Sequence, residues 1–336
     1  MSLRAPFPYF GGKALAAPLI WEALGEVDNY TEPFAGSLAV LLARPHAPRV
    51  ETVNDVNHYV ANFWRALQRA PEEVARHAEY PALEVDLHAR HDWLVHSAEA
   101  KAFRTAMEGS PEYFDAKVAG WWVWGASLWI GSGWCAHPEW KGRGHVAASP
   151  RGVHGLGARE EEGCTWRQVI ELGGSRGATG RGVNASGKRG QVNEWLEALA
   201  KRLRYVRVSC GDFLRILTPS ATTAIGLTGV LLDPPYKQYE DLYAHEEKGV
   251  AERACEWAVA NGDNPQLRIA LCGYEGDYQL PEGWRCVAWK AAGGYLVARG
   301  TGENAERERI WLSPHCLKPG RLKQASLMDL LAGGAP

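Results

Sequence analysis

Hydrophobic positions along the chain form two alternating patterns, one typical of buried strands and one typical of amphipathic helices. Short apolar or β-branched runs, most of them followed by Gly, Asp or Pro, occupy residues 50–54, 205–210, 229–233, 267–272, 286–289 and 309–312. Segments whose apolar side chains recur at spacings of three and four occupy residues 57–69, 192–203 and 250–261. This alternation predicts an α/β fold with a mostly parallel sheet.

The pattern changes between residues 66 and 191. Strand signals are sparse there, tryptophans cluster at 121, 122, 124, 129, 134 and 140, and residues 173–191 contain seven glycines, four basic residues and no acid. We interpret residues 66–191 as an inserted recognition region within one domain formed by residues 1–65 and 192–318, with 319–336 as a tail. The sequence WWVWGASLW is hydrophobic on most sides of a helix, which favours core packing of its tryptophans over base stacking.

Composition predicts a cytoplasmic protein that needs no disulfides. The chain has 336 residues, 46% of them hydrophobic, which suffices for a large core. Its seven cysteines are odd in number and form no CxxC pair, so reduced thiols are expected, and the irregular Cys and His spacings predict no metal site. No run of eighteen apolar residues and no apolar signal segment occurs, so neither membrane insertion nor secretion is expected.

Charge is distributed unevenly. Residues 141–207 carry 13 Lys and Arg against 6 Asp and Glu, or +7, whereas the remainder carries 24 against 33, or −9, giving the net charge of −2. A basic block within an acidic chain is typical of a surface that binds a polyanion.

Two segments near the N-terminus have the form of ligand-binding turns. In NYTEPFAGSLA (29–39) a strand leads through Gly36 into a helix start, where a ligand can approach the backbone and its amides. Asp55 ends the next strand, a position from which an acid commonly binds ribose hydroxyls. PYFGGK (8–13) places Lys13 on a glycine turn that can reach an anion, but it lacks the spacing of an ATP-binding phosphate loop.

The segment DPPY (233–236) follows an apolar strand and presents hydrogen-bond acceptors on a stiff backbone. Because proline fixes φ and restricts the preceding residue, the Asp233 carboxylate and the Pro234 carbonyl are held in place. These acceptors suit an amino group, and Tyr236 offers a face on which a flat ring can stack. Acceptors that pull on the hydrogens of an aromatic amine favour its nucleophilic, pyramidal form.

The chain resembles the Dam-like (alpha-group) DNA adenine-N6 methyltransferases, which include many phage enzymes. The resemblance rests on five features in this order: PYFGGK, EPFAG, Asp55, the GDF at 211–213 and DPPY. The implied fold is the Rossmann-like sheet of S-adenosylmethionine-dependent methyltransferases. The chain departs from the family at Ser37 to Ala39, where further glycines are frequent, and the sequence of residues 66–191 matches no recognition code known to us.

The resemblance implies a role for each matching residue. The methionine end of S-adenosylmethionine would be bordered by Tyr9, Phe10, Gly11 and Lys13. The floor of the cofactor site would be formed by Glu32, Phe34 and Gly36. Asp55 would bind the ribose, Asp212 would accept from the cofactor's adenine amino group, and Phe213 would pack at that ring. The target adenine would be held by Asp233, Pro234, Pro235 and Tyr236.

Double-stranded DNA is the implied partner, with no obligatory protein partner. The target base must be flipped out of the duplex, and we expect Arg176, Arg181, Lys188 and Arg189 to contact phosphates.

The motifs are also compatible with a methyltransferase that acts on cytosine N4 or on RNA. They do not decide whether the enzyme serves a phage or a restriction system. A nucleotide-binding oxidoreductase would explain Asp55 but not DPPY, GDF or the basic segment. The intact acid of DPPY disfavours an inactive DNA-binding module.

Overall fold

A computed structural model describes residues 3–9, 12–110, 112–129, 134–135, 183, 191–235, 249–289 and 307–318. The strands within these ranges are β1 Asn29–Glu32, β2 Val50–Asp55, β3 Arg207–Cys210, β4 Thr228–Leu232, β5 Leu267–Tyr274, β6 Arg285–Ala288 and β7 Glu308–Leu312. Six of them were predicted to within two residues at each end, and the seventh, β1, lies where the EPFAG segment predicts a strand.

The strands form one sheet in the order β3-β2-β1-β4-β5-β7-β6. The first five in this order are mutually parallel, whereas β7 runs antiparallel to β5 and β6. The chain therefore builds outward from β1 to β3 and then returns to add β4 and β5 on the other side of β1. This arrangement confirms the predicted α/β fold with a mostly parallel sheet.

The helices within the described ranges are α1 Ala17–Leu24, α2 Ala39–Leu42, α3 His58–Arg69, α4 Pro71–Ala78, α5 Glu84–His96, α6 Ala98–Gly109, α7 Ala116–Leu128, α8 Val192–Leu203 and α9 Val250–Asn261. Helix α3 shows how local sequence sets the limits of a helix. The side chain of Asn57 accepts from the backbone N–H of Tyr59 at 3.0 Å and caps the start. Pro71 disfavours helical geometry at Ala70, so α3 ends there.

The main hydrophobic core contains residues of the sheet and of helices α1, α3, α4, α7 and α8. Phe7 packs on Phe63 and Trp122 with ring centroids 5.3 and 4.8 Å apart. Asn62 of α3 exchanges two hydrogen bonds with the backbone of Asp115, at 2.9 and 2.8 Å, and so anchors the start of α7. The buried Trp122 and Trp124 confirm the predicted core role for these two tryptophans.

Helices α4 and α7 belong to the predicted insertion yet share this core with α3 and α8. The domain limits at 65/66 and 191/192 remain a prediction. Several expectations concern residues outside the described ranges: the phosphate contacts of Arg176, Arg181, Lys188 and Arg189, the roles of Phe10, Gly11 and Tyr236, and the tail 319–336.

Within the described ranges, Cys135, Cys210, Cys272, Cys286 and Cys316 are thiols that form no disulfide. Within the same ranges, no cluster of three or more His, Cys, Asp or Glu side chains could hold a metal ion. No helix described here combines the length and apolar character needed to cross a membrane.

Candidate active site

The parallel strands bring the predicted site residues to one edge of the sheet. Glu32 ends β1, Asp55 ends β2, Asp212 follows β3 by two residues, and Asp233 follows β4 directly. Strand order reverses between β1 and β4, and ligands of open α/β sheets bind at the carboxyl ends of strands beside such a reversal. The topology therefore gathers four acids from distant parts of the chain at one crevice.

Gly36 is fixed on three sides in the turn after β1. Its N–H donates to Asp55 Oδ2 at 2.9 Å, and its carbonyl accepts from Trp64 Nε1 at 2.9 Å. Its φ of 44° lies in the left-handed region, and a Cβ at this position would come within 2.7 Å of the Tyr9 ring. The Tyr9 ring can lie over this turn only because residue 36 is glycine.

Asp55 is buried and joins β2 to the Gly36 turn. Besides the bond from Gly36, its Oδ1 accepts from the backbone N–H of Asn57 at 2.8 Å. Burial raises the pKa of Asp55 to about 6, although the two N–H donors oppose that rise. The carboxylate is therefore charged at neutral pH, and each oxygen has a second lone pair with which it can accept from a ligand.

Asn54 connects the ends of three strands and was not predicted from the sequence. Its Nδ2 donates to the carbonyl of Pro33 at 3.1 Å, after β1, and to that of Gly211 at 2.8 Å, after β3. Asn54 itself belongs to β2, so one amide sets the spacing of the turns that carry Gly36 and Asp212. No motif marks this role, and its position next to Asp55 was the only available signal.

Leu38 occupies a backbone conformation that favours glycine. It has φ 54° and ψ 26° at the start of α2, within the segment where the chain departs from the family's frequent glycines. A non-glycine residue in this region costs about 1–2 kcal/mol. The Leu38 side chain is completely buried, and burial of a leucine offsets a cost of that size.

We expect Leu38→Ala to lower the free energy of unfolding more than Leu38→Gly does, by about 1 kcal/mol, because only glycine relieves the left-handed backbone. Equilibrium urea unfolding measures both variants. Leu41, equally buried and within α2, provides the matched control, since alanine should be the less damaging replacement in a helix. The same order of stabilities at both positions would contradict this account of Leu38.

The GDF segment holds its aspartate from two directions. Asp212 Oδ1 accepts from the backbone N–H of Leu214 at 2.9 Å, and Oδ2 accepts from Arg253 Nη2 at 2.6 Å. Phe213 is buried and packs on Phe34, with ring centroids 5.0 Å apart and an interplanar angle of 32°. Together these residues line the crevice between the ends of β1 and β3 with two aromatic rings and one charged acceptor.

Asp233 forms an ion pair with Lys13. The Lys13 Nζ lies 2.9 Å from Asp233 Oδ1 and 3.9 Å from Glu308 Oε2, with side-chain exposures of 3%, 21% and 8%. Burial lowers the pKa of Lys13, but the Asp233 and Glu308 carboxylates outweigh it, and the net pKa is raised. Burial also raises the pKa of Asp233, which the ammonium opposes. The lysine is therefore a permanent cation beside the Asp233 carboxylate.

Two further side chains lie near the Lys13 ammonium. Glu308 is the first residue of β7, and the Trp289 ring lies 5.8 Å from Nζ. Neither was predicted, because both lie in ordinary strand patterns without a motif. Pro234 and Pro235 are buried directly after Asp233, which limits the freedom of the backbone that carries the carboxylate.

Residues 9–116 match the family model of D12 class N6 adenine-specific DNA methyltransferases. The match identifies the chain as an adenine-specific DNA methyltransferase. It confirms the resemblance to the Dam-like class. It spans YFGGK (9–13), EPFAG and Asp55, and it covers about a third of the chain. A search of curated proteins found no matching relative.

The described part of this methyltransferase brings most of the predicted site residues to one crevice. Tyr9, Gly36 and Asp55 contact one another in a chain, Phe34 packs on Phe213, and Lys13 meets Asp233. Glu32 is buried at the end of β1, where Tyr30 Oη donates to its Oε2 at 3.2 Å. Burial raises the pKa of Glu32. The Lys13 ammonium lies on the Asp233 carboxylate, and its implied place beside the methionine end of the cofactor stays a prediction.

Proposed function

We propose that this methyltransferase takes its methyl group from S-adenosylmethionine and transfers it to the N6 amine of an adenine flipped out of double-stranded DNA. The observation that carries the proposal is the position of Asp233. It stands at the carboxyl end of β4, beside the strand-order reversal, with its carboxylate oriented by Lys13. The other predicted ligand-binding residues line the neighbouring strand ends, so donor and acceptor would share one crevice.

The residues at the ends of β1, β2 and β3 fit the cofactor. Close approach to the backbone is possible at Gly36, Asp55 offers charged acceptors for ribose hydroxyls, and Asp212 offers one for an adenine amino group. Along the cofactor we keep the implied roles of Tyr9, Phe10, Gly11, Glu32, Phe34 and Phe213. When bound, S-adenosylmethionine supplies an electrophilic methyl group on a sulfonium.

Asp233 prepares the target amine by accepting its hydrogens. With Oδ1 engaged by Lys13, we assign Oδ2 and the Pro234 carbonyl as the acceptors for the two amine hydrogens. Pro235 restricts the backbone conformation of this segment, and Tyr236 provides the face on which the target adenine stacks. Two acceptors held in advance at these positions favour the form of the amine whose lone pair can attack, and they need no rearrangement during the reaction.

Lys13 has a part in this arrangement that differs from a cofactor contact. An ammonium 2.9 Å from Oδ1 restrains rotation of the carboxylate and keeps it ionised despite its burial. We therefore propose Lys13 as the residue that positions Asp233, while Glu308 and Trp289 surround the ammonium on other sides.

Phosphate contacts from Arg176, Arg181, Lys188 and Arg189 remain part of the proposal, supported by the positive charge of residues 141–207. We propose that the enzyme acts in the cytoplasm of a bacterial or phage-infected cell, where its DNA substrate lies, without a metal ion or an obligatory protein partner.

Methyl transfer from labelled S-adenosylmethionine to duplexes of defined sequence tests the proposal. We expect label on adenine N6 in duplex DNA and the same rate in excess EDTA. Label on cytosine, preference for RNA, or dependence on an added divalent metal would each overturn the corresponding part.

Asp55 gives the proposed cofactor site a characteristic pH dependence. Its pKa of about 6 means that the carboxylate loses its charge as the pH falls through 6. If the charged form binds the ribose hydroxyls, the dissociation constant of S-adenosylhomocysteine should be constant above about pH 7 and rise by up to about tenfold per pH unit below 6. Calorimetric titration between pH 5 and 8 measures this slope.

Asp55→Asn is the control for that titration. It should bind more weakly at neutral pH and lose the slope near pH 6, because its amide does not titrate. An unchanged slope in this variant would assign the pH dependence to another group.

A further inference from the structure

The ion pair between Asp212 and Arg253 joins two parts of the fold that are far apart along the chain. Asp212 follows β3, whereas Arg253 lies in the first turn of α9, the helix that follows the Asp233 motif along the chain. Their side chains are 42% and 34% exposed, and pairs as exposed as this contribute little to stability. Stability of the fold therefore does not account for this ion pair.

Three contacts define the orientation of the Asp212 carboxylate. Leu214 N–H donates to Oδ1 at 2.9 Å, and Arg253 Nη2 donates to Oδ2 at 2.6 Å. The Arg253 guanidinium carbon also lies 5.2 Å from the centroid of the Phe213 ring. Contact with a neighbouring ring limits where the arginine can move, so its hydrogen bond restrains rotation of the carboxylate about its Cβ–Cγ bond.

We propose that Arg253 is a positioning residue for recognition of the cofactor's adenine: it orients Asp212 so that the carboxylate accepts a hydrogen bond from the adenine amino group. This inference rests on the proposed role of Asp212. Each carboxylate oxygen can accept two hydrogen bonds, so the contacts to Leu214 and Arg253 leave capacity for a ligand. A carboxylate held towards the purine 6-position accepts a hydrogen bond from an amino group there and repels a carbonyl oxygen, whereas one that can turn away loses part of both effects.

The test compares two ligands that differ at that position. S-adenosylhomocysteine presents an amino group, and S-inosylhomocysteine presents a carbonyl oxygen that a carboxylate repels. For the unaltered full-length chain we expect calorimetry to show a preference for the adenosyl ligand of at least about tenfold, the ratio typical of one hydrogen bond to a charged group. Asp212→Asn should lower this preference to about twofold or less, because the amide oxygen is drawn to the Arg253 and Leu214 donors and the NH2 group then faces the ligand as a donor.

With Asp212 intact, Arg253→Gln should lower the preference for the adenosyl ligand by about threefold or more. Arg253→Lys keeps the charge and should retain more of this preference than Arg253→Gln does. In the double variant with Asp212→Asn, the glutamine should cause no further loss, because Arg253 acts through Asp212. Arg69→Gln is the matched control, since it removes a 54% exposed arginine paired with Glu112 at 3.6 Å outside the site. Its preference should equal that of the unaltered chain.

The outcomes separate this inference from the proposal on which it rests. If Asp212→Asn leaves the preference unchanged, Asp212 does not recognise the amino group and both ideas fail. If Asp212→Asn removes the preference but Arg253→Gln weakens both ligands equally or neither, only the role of Arg253 is overturned. A further loss in the double variant would mean that Arg253 acts on the ligand independently of Asp212, which also overturns the positioning role.

Discussion

Asp233→Asn is expected to lower the rate of methyl transfer by on the order of a hundredfold, with S-adenosylmethionine affinity unchanged within about twofold. Asparagine keeps the shape of the side chain but replaces one acceptor oxygen with an NH2 donor. Its remaining oxygen is attracted to the Lys13 ammonium, 2.9 Å from Oδ1 in the unaltered chain. The NH2 group then faces the target amine, donor against donor, and the pull on the amine hydrogens is lost.

Single-turnover methylation of duplex DNA and calorimetric titration of the cofactor separate the two effects. Asparagine is preferable to alanine, because alanine would leave the buried ammonium of Lys13 without its nearest partner, at a cost of about 3–5 kcal/mol. Asp263→Asn is the control, since this exposed carboxylate lies at the amino edge of the sheet, before β5. Equal losses of rate and of cofactor affinity in Asp233→Asn would contradict the role assigned to Asp233.

Most strands of this fold could be predicted because each is a short apolar run with a clear end. Parallel pairing then places the carboxyl ends of the strands together, so a shared crevice for Asp55, Asp212 and Asp233 follows from sequence order alone. Helices α4 to α6 were not predicted individually. In α5, for example, charged and histidine side chains interrupt the apolar spacing, and its position is set by packing against α6 and α7.

The contacts that tune the site could not be predicted, because they join residues that no local pattern relates. Lys13 and Asp233 lie more than two hundred positions apart, and only the folded sheet shows that one neutralises the other. Trp64 donates to Gly36 from the middle of a helix whose apolar spacing predicts only burial. A motif identifies the groups that perform the chemistry, whereas their orientation depends on partners chosen by tertiary packing.

Lys13→Met is expected to lower methyl transfer at pH 7 by about a hundredfold and to move the acid limb of the pH–rate profile to higher pH. Burial raises the pKa of Asp233, and the Lys13 ammonium is the group that opposes this rise. Without the ammonium, the carboxyl group keeps its proton to a higher pH. A protonated carboxyl donates through one oxygen and no longer presents two acceptors, so the rate falls until the pH exceeds the new pKa.

The shift of the acid limb distinguishes two roles for Lys13, positioning of Asp233 and contact with the cofactor. Loss of a cofactor contact would raise KM for S-adenosylmethionine at every pH. Loss of the ion pair should instead make the rate at saturating cofactor rise with pH over a range in which the rate of the unaltered enzyme is constant, because the pKa of Asp233 is then higher. Lys13→Arg keeps the cation and should keep the profile, even if its larger group slows the reaction. Combining Lys13→Met with Asp233→Asn should abolish the shift, because the titrating group is then gone. A Lys13→Met profile with the wild-type acid limb would instead show that Asp233 stays ionised without the lysine.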